Sequence, residues 1–299
     1  MSRLKESILL LLSAALLVLG LVEISYSQEA CPSISSPVKH PAATTRFVAF
    51  GDGGSGSPEQ FQLGRQMEEV RKITGFDTVL MLGDNLYPRG DTREAKSRFE
   101  QPYAELLKAG VRFYPILGNH DLHANDGRDQ IAYFNMPGRW YSVQKGPLEF
   151  FMLDSSRPRV TEQQMTWLYT ALASSTAPWK IVATHLPIYS SAHDGWTGLN
   201  WWLNIFLEPL LVKYRVSVVL SGHDHFYERI KPQRGIYYFI SGGGGADIRA
   251  VKPKAFNERV ASTHHFLLFE WAEDKGWFQA VDICGRVFDS GTLEPHGES

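Results

Sequence analysis

Short apolar runs alternate with helical patterns from Arg46 onwards. The runs are rich in β-branched and aromatic residues, which indicates buried strands. Strands are predicted at 46–50, 77–82, 111–117, 140–143, 148–153, 179–182, 216–220, 236–240, 266–271 and 277–283. Helical spacing occurs at 59–73, 93–107, 161–174 and 201–210. This alternation predicts an α/β domain.

The last predicted helix carries large apolar side chains at the spacing of a core-facing stripe. They are Trp201, Trp202, Ile205, Phe206 and Leu210. Because residues three and four apart share one side of a helix, we expect these side chains to be buried.

Polar side chains follow five of the predicted strands at the point where each strand ends. Seven of them are potential metal ligands: Asp52, Asp84, Tyr87, Asn119, His185, His223 and His225. The last two are two positions apart, so in extended backbone both imidazoles point to the same side. Strand ends gather on one rim of an open α/β sheet, and we therefore expect these side chains to converge.

The donor types in this set suit two different ions. Carboxylate and phenolate oxygens are hard anionic donors that favour a trivalent metal, whereas amide oxygen and neutral imidazole suit a divalent one. A carboxylate can also bridge two ions, which in two-metal sites lie about 3.5 to 4 Å apart. The strand-end cluster therefore predicts a dinuclear centre.

Composition and charge exclude several other classes of protein. The chain has 299 residues, of which 43% are hydrophobic and 21% charged, as in an ordinary globular protein. Its net charge of -2 gives no electrostatic case for a nucleic acid or acidic lipid partner. The glycine run at 242–245 lacks the lysine of a phosphate-binding loop, and we expect a permissive turn near the site.

The N-terminus has the pattern of a targeting segment. Arg3 and Lys5 precede an apolar stretch at 8–22, and small residues follow, which predicts a signal peptide at 1–27. The apolar core is shorter than the roughly 20 residues needed to cross a bilayer, so we expect cleavage, with a retained anchor as the alternative. The mature protein would then be secreted or periplasmic, without stable membrane association.

Two further segments follow the signal peptide. Residues 28–44 are rich in proline and serine and predict a flexible arm, and 45–293 form the single predicted domain. Cys31 and Cys284 are too few for a disulfide framework. They form either one bridge or two free thiols, and the export signal favours the bridge.

Five ordered motifs resemble those of the calcineurin-like metallophosphoesterases. They are Asp52-Gly-Gly, Gly83-Asp84-x-x-Tyr87, Gly118-Asn119-His120-Asp121, Val182-x-x-His185 and Gly222-His223-x-His225. The tyrosine in the second motif narrows the resemblance to the purple acid phosphatases, of the small tartrate-resistant type. This resemblance implies a four-layer α-β-β-α sandwich of two mixed sheets flanked by helices.

The same resemblance implies two ligand sets and one shared ligand. Iron(III) would be held by Asp52, Tyr87 and His225, a divalent ion by Asn119, His185 and His223, and both by Asp84. The divalent metal would be iron, zinc or manganese.

The activity implied is hydrolysis of small phosphate monoesters by a metal-activated hydroxide at acidic pH. His120, backed by Asp121, is the candidate for contacting phosphate and protonating the leaving group. An alternative role for His120 is to orient Asn119. In the loop that follows the fourth motif, His193 is a candidate for facing the substrate, and Asp194 is the alternative.

Two other functions stay open at this point. One is a phosphodiesterase or nucleotide pyrophosphatase that uses two divalent metals. The other is a metal-carrying binding protein without turnover. The sequence predicts neither the physiological substrate nor the oligomeric state.

Overall fold

Two β-sheets pack face to face in the computed structural model, which describes residues 37–157, 160–192 and 201–294. The six-stranded sheet contains β1 (Thr45–Phe50), β2 (Thr78–Met81), β3 (Arg112–Pro115), β11 (His265–Trp271), β12 (Gly276–Asp282) and β13 (Val287–Leu293). The seven-stranded sheet contains β4 (Tyr141–Lys145), β5 (Leu148–Met152), β6 (Trp179–Thr184), β7 (Val218–Ser221), β8 (Tyr227–Gln233), β9 (Ile236–Ser241) and β10 (Asn257–Ala261). Their strand orders are β13-β12-β11-β1-β2-β3 and β10-β8-β9-β7-β6-β5-β4.

Helices cover the outer faces of both sheets. The α-helices are α1 (Pro58–Thr74), α2 (Ala104–Lys108), α3 (Arg128–Tyr133), α4 (Glu162–Ser174) and α5 (Glu208–Lys213). Strands β1 to β3 are parallel to one another, and so are β5, β6, β7 and β9. Both sheets also contain antiparallel pairs, so both are mixed.

The two-residue period of the central strands separates three apolar layers. In β1, Phe47 and Ala49 pack between the two sheets, whereas Val48 and Phe50 pack under α1. In β7, Val219 faces away from the six-stranded sheet and joins the layer under α4 and α5. Because alternate side chains point to opposite faces, each sheet is buried on both sides. The predicted four-layer sandwich is therefore confirmed.

One predicted helix is broken. The spacing at 93–107 suggested a single helix, but the chain forms a 3₁₀ turn at Thr92–Glu94, a π-helical turn at Lys96–Glu100 and then α2. Pro102 lies between the last two segments. It has no amide hydrogen to donate to the preceding turn, so a regular helix cannot continue through it.

Three of the five large apolar residues predicted to be buried at 201–210 are exposed. Trp201, Ile205 and Phe206 keep 41%, 47% and 50% of their surface accessible. This segment begins as a π-helical turn and continues into α5, and its buried side chains are Leu203, Leu207 and Leu211. The core-facing stripe therefore runs through these three leucines, and Trp202 and Leu210 pack against it as half-buried side chains.

Three strands were not predicted, because their sequences lack an apolar run. Strands β8, β10 and β13 all contain charged side chains, and β10 and β13 are the edges of their sheets. An edge strand has one unpaired side, where charged residues keep other chains from pairing with it.

The segment before β1 lies along the six-stranded sheet. The backbone of Val38 exchanges hydrogen bonds with the Gln279 side chain, and the His40 amide donates to Glu270. The predicted signal peptide and Cys31 lie outside the described residues. Cys284 is disulfide-bonded. Within the described residues, no helix has the length and apolar character needed to cross a membrane.

His265 is a buried titratable group away from the strand-end cluster. It is fully inaccessible at the start of β11, and its Nδ1 donates to the Thr263 carbonyl at 2.9 Å. Its Nε2 has no hydrogen-bond partner in the described part of the chain. Burial therefore lowers the pKa of His265 to about 4.

The pKa of His265 predicts a loss of stability in acid. Between pH 6.5 and about 4 the unfolded chain binds a proton at this position and the folded chain does not. Stability then decreases with falling pH by roughly 3 kcal/mol over this window. The His265→Phe variant lacks this titrating group. Between pH 7 and pH 4 its free energy of unfolding should therefore fall by about 3 kcal/mol less than that of the wild type. Urea denaturation at pH 7 and pH 4 measures this difference, and equal acid losses in both proteins would contradict it.

Candidate metal centre

The two aspartates of the site occupy tight turns at the ends of β1 and β2. Asp52 and Asp84 have φ angles of 60° and 52°, and the Asp52 amide donates to the Gly83 carbonyl at 3.0 Å. Short polar side chains tolerate this left-handed conformation better than others. Both carboxylates are almost completely buried, at 0% and 1% exposure.

Glycines make room for these side chains. A Cβ on Gly118 would lie 2.1 Å from Asp84 Oδ1, and a Cβ on Gly222 would lie 2.8 Å from Asp52 Oδ2. These distances are far below van der Waals contact. Any larger residue at Gly118 or Gly222 would displace a carboxylate.

Asp52, Tyr87 and His225 form the first group of converging donors. The Tyr87 hydroxyl lies 3.1 Å from Asp52 Oδ1 and 3.1 Å from His225 Nε2. The last pair of atoms, His225 Nε2 and Asp52 Oδ1, are 3.4 Å apart. His225 Nδ1 donates to the Asp247 carbonyl at 2.9 Å, so in the neutral ring Nε2 is an acceptor directed at the group.

Asn119, His185 and His223 form the second group. Asn119 Oδ1 lies 3.0 Å from His185 Nε2 and 3.0 Å from His223 Nδ1. His185 Nδ1 donates to the Leu82 carbonyl at 2.9 Å, which again leaves Nε2 as the acceptor. Burial and the neighbouring His185 lower the pKa of His223 to about 3, so this imidazole is neutral.

Asp84 joins the two groups. Its Oδ2 lies 3.0 Å from the Tyr87 hydroxyl, and its Oδ1 lies 3.6 Å from His185 Nε2. Asp52, Asp84 and His185 each offer a ligand atom within 4.8 Å of the other two, so they form a metal-binding triad. The structure thus brings all seven predicted ligands together.

The ligands come from both sheets, whereas the strand-end argument placed them on the rim of one open sheet. Strands β1, β2 and β3 of the six-stranded sheet precede Asp52, Asp84 and Asn119. Strands β6 and β7 of the seven-stranded sheet precede His185 and His223. The site therefore depends on the face-to-face packing of the two sheets.

The donor set fits cations. One hydroxyl proton on Tyr87 can satisfy only one of the three acceptors around it, so acceptors outnumber protons there. Burial and the charges of Asp52 and Asp84 raise the pKa of Tyr87 well above its ordinary value. Positive charge in this position would offset the buried carboxylates and favour the ionised phenol.

Asp121 does not support the His120 imidazole, contrary to the sequence prediction. His120 Nδ1 instead donates to the Pro88 carbonyl at 2.9 Å. The fully buried Asp121 carboxylate accepts from the Gly118 and Asn85 amides at 2.8 and 3.0 Å. Burial and the nearby Asp84 raise the pKa of Asp121 to about 7. Its role is to hold the turns that carry Asp84 and Asn119.

Two residues near the site were missed from the sequence. His123 stacks on His120 with ring centroids 5.6 Å apart, and the three-residue spacing within one turn was the available signal. Arg249 follows the glycine run, in which Gly244 donates its amide to Gly51 at 3.0 Å. Burial lowers the pKa of the His225 ring, but the Asp52 carboxylate raises it by more, so the net change is a rise; the charge of Arg249 acts against that rise. The predicted substrate-facing candidates His193 and Asp194 lie outside the described residues.

Known proteins share this chain's sequence pattern and fold. A family model described as calcineurin-like phosphoesterase matches residues 45–227. Tartrate-resistant acid phosphatase type 5 of Rattus norvegicus is 29% identical over 300 residues, which cover 87% of this chain and 89% of the relative. Purple acid phosphatase 3 of Arabidopsis thaliana is 30% identical over 250 residues, covering 71% and 67%.

Among solved structures, the purple acid phosphatase from yellow lupin (Lupinus luteus) seeds superposes with a TM-score of 0.72 at 21% identity. The match covers 87% of this chain and 55% of the lupin chain, and it shows a shared fold. The relatives named above confirm the predicted enzyme class, an acid phosphatase, and imply a dinuclear metal centre. The chain belongs to the calcineurin-like phosphoesterase family.

Proposed function

We propose that this phosphatase is exported and hydrolyses small phosphate monoesters at a centre of iron(III) and a divalent metal. The observation that carries the proposal is the division of the donors into two groups of three that Asp84 joins. Phosphoryl transfer needs an aligned nucleophile and neutralisation of the phosphate oxygens. Two bound metal ions supply both, because they lower the pKa of water and attract phosphate oxygens.

The two donor groups would hold different metals. Asp52, Tyr87 and His225 include a carboxylate and a phenol and suit iron(III). Asn119, His185 and His223 offer an amide oxygen and two imidazoles, which suit divalent iron, zinc or manganese. Iron(III) and a divalent ion together carry five positive charges, and the two carboxylates and one phenolate carry three negative charges. The site would therefore keep a net charge of about +2, which attracts a phosphate dianion.

His120 is the proposed proton donor to the leaving group. The Pro88 carbonyl accepts its Nδ1–H whether the ring is neutral or charged, so Nε2 is the atom that can gain and lose a proton. The His120 amide donates to Asp84 Oδ1 at 2.9 Å, which fixes the residue beside the joining carboxylate. The leaving alkoxide needs a proton, and we assign its delivery to His120.

Two observations support export. The pattern of Arg3, Lys5 and the apolar stretch at 8–22 is that of a signal peptide over 1–27, followed by an arm and a domain at 45–293. The disulfide bond at Cys284 also suits an oxidising compartment, where such bonds persist.

The Tyr87 phenol gives the proposal a spectroscopic test. We expect purified protein to show visible absorption from tyrosinate-to-iron(III) charge transfer and to release phosphate from 4-nitrophenyl phosphate at pH 5. Tyr87→Phe should lose the visible band. Tyr133→Phe is the matched control, because the hydroxyl of Tyr133 bonds to Glu100 at 2.7 Å and not to the donor groups. Its band should be unchanged.

Three outcomes contradict the proposal in different ways. Activity without a visible band, and with bis(4-nitrophenyl) phosphate hydrolysed faster than the monoester, favours a phosphodiesterase with two divalent metals. Bound metal without hydrolysis of either ester favours a binding protein. A visible band that survives in Tyr87→Phe excludes this tyrosine as an iron ligand.

Leaving-group dependence tests the role of His120. 4-Nitrophenolate departs without a proton, whereas an alkoxide requires one. We expect His120→Ala to lower kcat/KM for glycerol 2-phosphate on the order of 100-fold and to affect 4-nitrophenyl phosphate much less. An equal loss for both esters would assign His120 to phosphate binding or to positioning Asn119.

A further inference from the structure

An apolar groove runs between α4 and the segment that ends in α5. Met165, Thr166 and Tyr169 line one side of it, and Phe206 and Leu210 line the other. Tyr169 is three and four positions after the other two residues of α4, so all three share one face of the helix. The groove has a volume of about 340 Å³, and it lies outside the seven-stranded sheet, away from the metal-binding donors.

The apolar surface extends beyond the groove. Seven large hydrophobic side chains are exposed in the described part of the chain, and four of them lie here: Tyr169, Trp201, Ile205 and Phe206. The ring centroids of Trp201 and Phe206 are 6.2 Å apart, so these side chains form one continuous patch. A contiguous exposed patch of this kind marks an interaction surface, and aromatic residues are enriched at the centre of protein interfaces.

The groove itself has room for a side chain from another molecule. A cavity of about 150 Å³ holds a benzene ring, which is less than half of the space available here. The same face therefore offers both exposed aromatic rings and a groove that can receive one.

The exposed charges at the groove have opposite signs and lie at opposite ends. Glu162 lines the groove in the first turn of α4. Lys213, the last residue of α5, places its Nζ 5.0 Å from the ring centroid of Tyr169. Tyr169 is seven positions after Glu162, which is about 10 Å along the helix. Within 162–174 and 201–213 these are the only exposed charged side chains, because Glu208 is buried.

We propose that this face binds the same face of a second copy of the chain and forms a dimer with two-fold symmetry. A two-fold axis perpendicular to the face places the two α4 helices side by side in opposite directions. Glu162 of each copy then approaches Lys213 of the other, and the two aromatic patches cover each other. A lipid surface is a poorer match, because peripheral proteins bind acidic lipids through several cations and this face exposes one cation and one anion.

The association state of the purified protein tests the interface. We expect sedimentation velocity to show a dimer of the wild type at micromolar concentrations. Phe206→Asp should raise the Kd of the dimer roughly 100-fold, because it places a charge at the centre of the buried face. Ile73→Asp is the matched control, since Ile73 lies on α1 over the other sheet and is exposed to a similar extent, 47% against 50%. Its Kd should be unchanged.

Exchange of the two charges tests the orientation of the copies. Glu162→Lys and Lys213→Glu should each raise Kd roughly tenfold, because like charges then face each other across the interface. The double variant restores opposite charges and should return Kd to about the wild-type value. The two residues lie at opposite ends of the groove in one chain, so this rescue requires a second copy.

Several outcomes would overturn the proposal. A wild type that stays monomeric throughout the micromolar range contradicts it, and so does a double variant without rescue. A dimer that survives in a Phe206→Asp variant shown to be folded by circular dichroism also contradicts it; if that variant does not fold, the charge-exchange series decides. A monomeric wild type that cosediments with phosphatidylcholine and phosphatidylglycerol vesicles, in a manner abolished by Phe206→Asp, assigns the face to a lipid surface instead.

Discussion

Two carboxylates buried side by side are the constraint on which the rest of this structure depends. Asp52 and Asp84 are almost inaccessible to solvent, and each lies in a left-handed turn at the end of a parallel strand. Removing an ionised carboxylate from water costs several kcal/mol unless a partner charge offsets it. The imidazoles, amide and phenol around them add further acceptors, so the arrangement calls for cations. A dinuclear metal centre would resolve this conflict and would at the same time create a phosphate-binding site.

The fold brings these side chains together by packing two sheets on either side of one apolar layer. The strict alternation in β1 packs Phe47 against the seven-stranded sheet and Val48 under a helix, so a shift of the strand by one residue would exchange these side chains between the two layers and disrupt the packing of both. The end of the strand, and with it Asp52, is thereby fixed. The same argument applies to β7, where Leu220 faces the other sheet and His223 follows shortly after. The register of these strands therefore determines both the packing of the core and the positions of the ligands.

The sequence predicted the parts of the site that depend on strand ends, because apolar runs followed by polar clusters are local patterns. It did not predict contacts that depend on how distant loops meet. Asp121 follows His120 directly, yet its carboxylate accepts from the amides of Gly118 and Asn85. The His120 ring donates to the Pro88 carbonyl and not to Asp121. Arg249 is close to His225 in space but is separated from it along the chain by two strands, β8 and β9, and by the glycine run. The helix predicted at 93–107 is broken because Pro102 has no amide hydrogen, and this loss outweighed the helical spacing of the residues around it.

Metal content tests the central claim most directly. Gly118→Ala places a methyl group 2.1 Å from Asp84 Oδ1 without removing any ligand, whereas a Cβ on Gly138 meets no atom closer than 3.5 Å. Inductively coupled plasma mass spectrometry of the purified proteins should find two metal ions per chain in the wild type and in Gly138→Ala, and a clear loss in Gly118→Ala. A wild type without bound metal, or a Gly118→Ala variant that keeps both ions, would contradict the account of two buried carboxylates held together by cations.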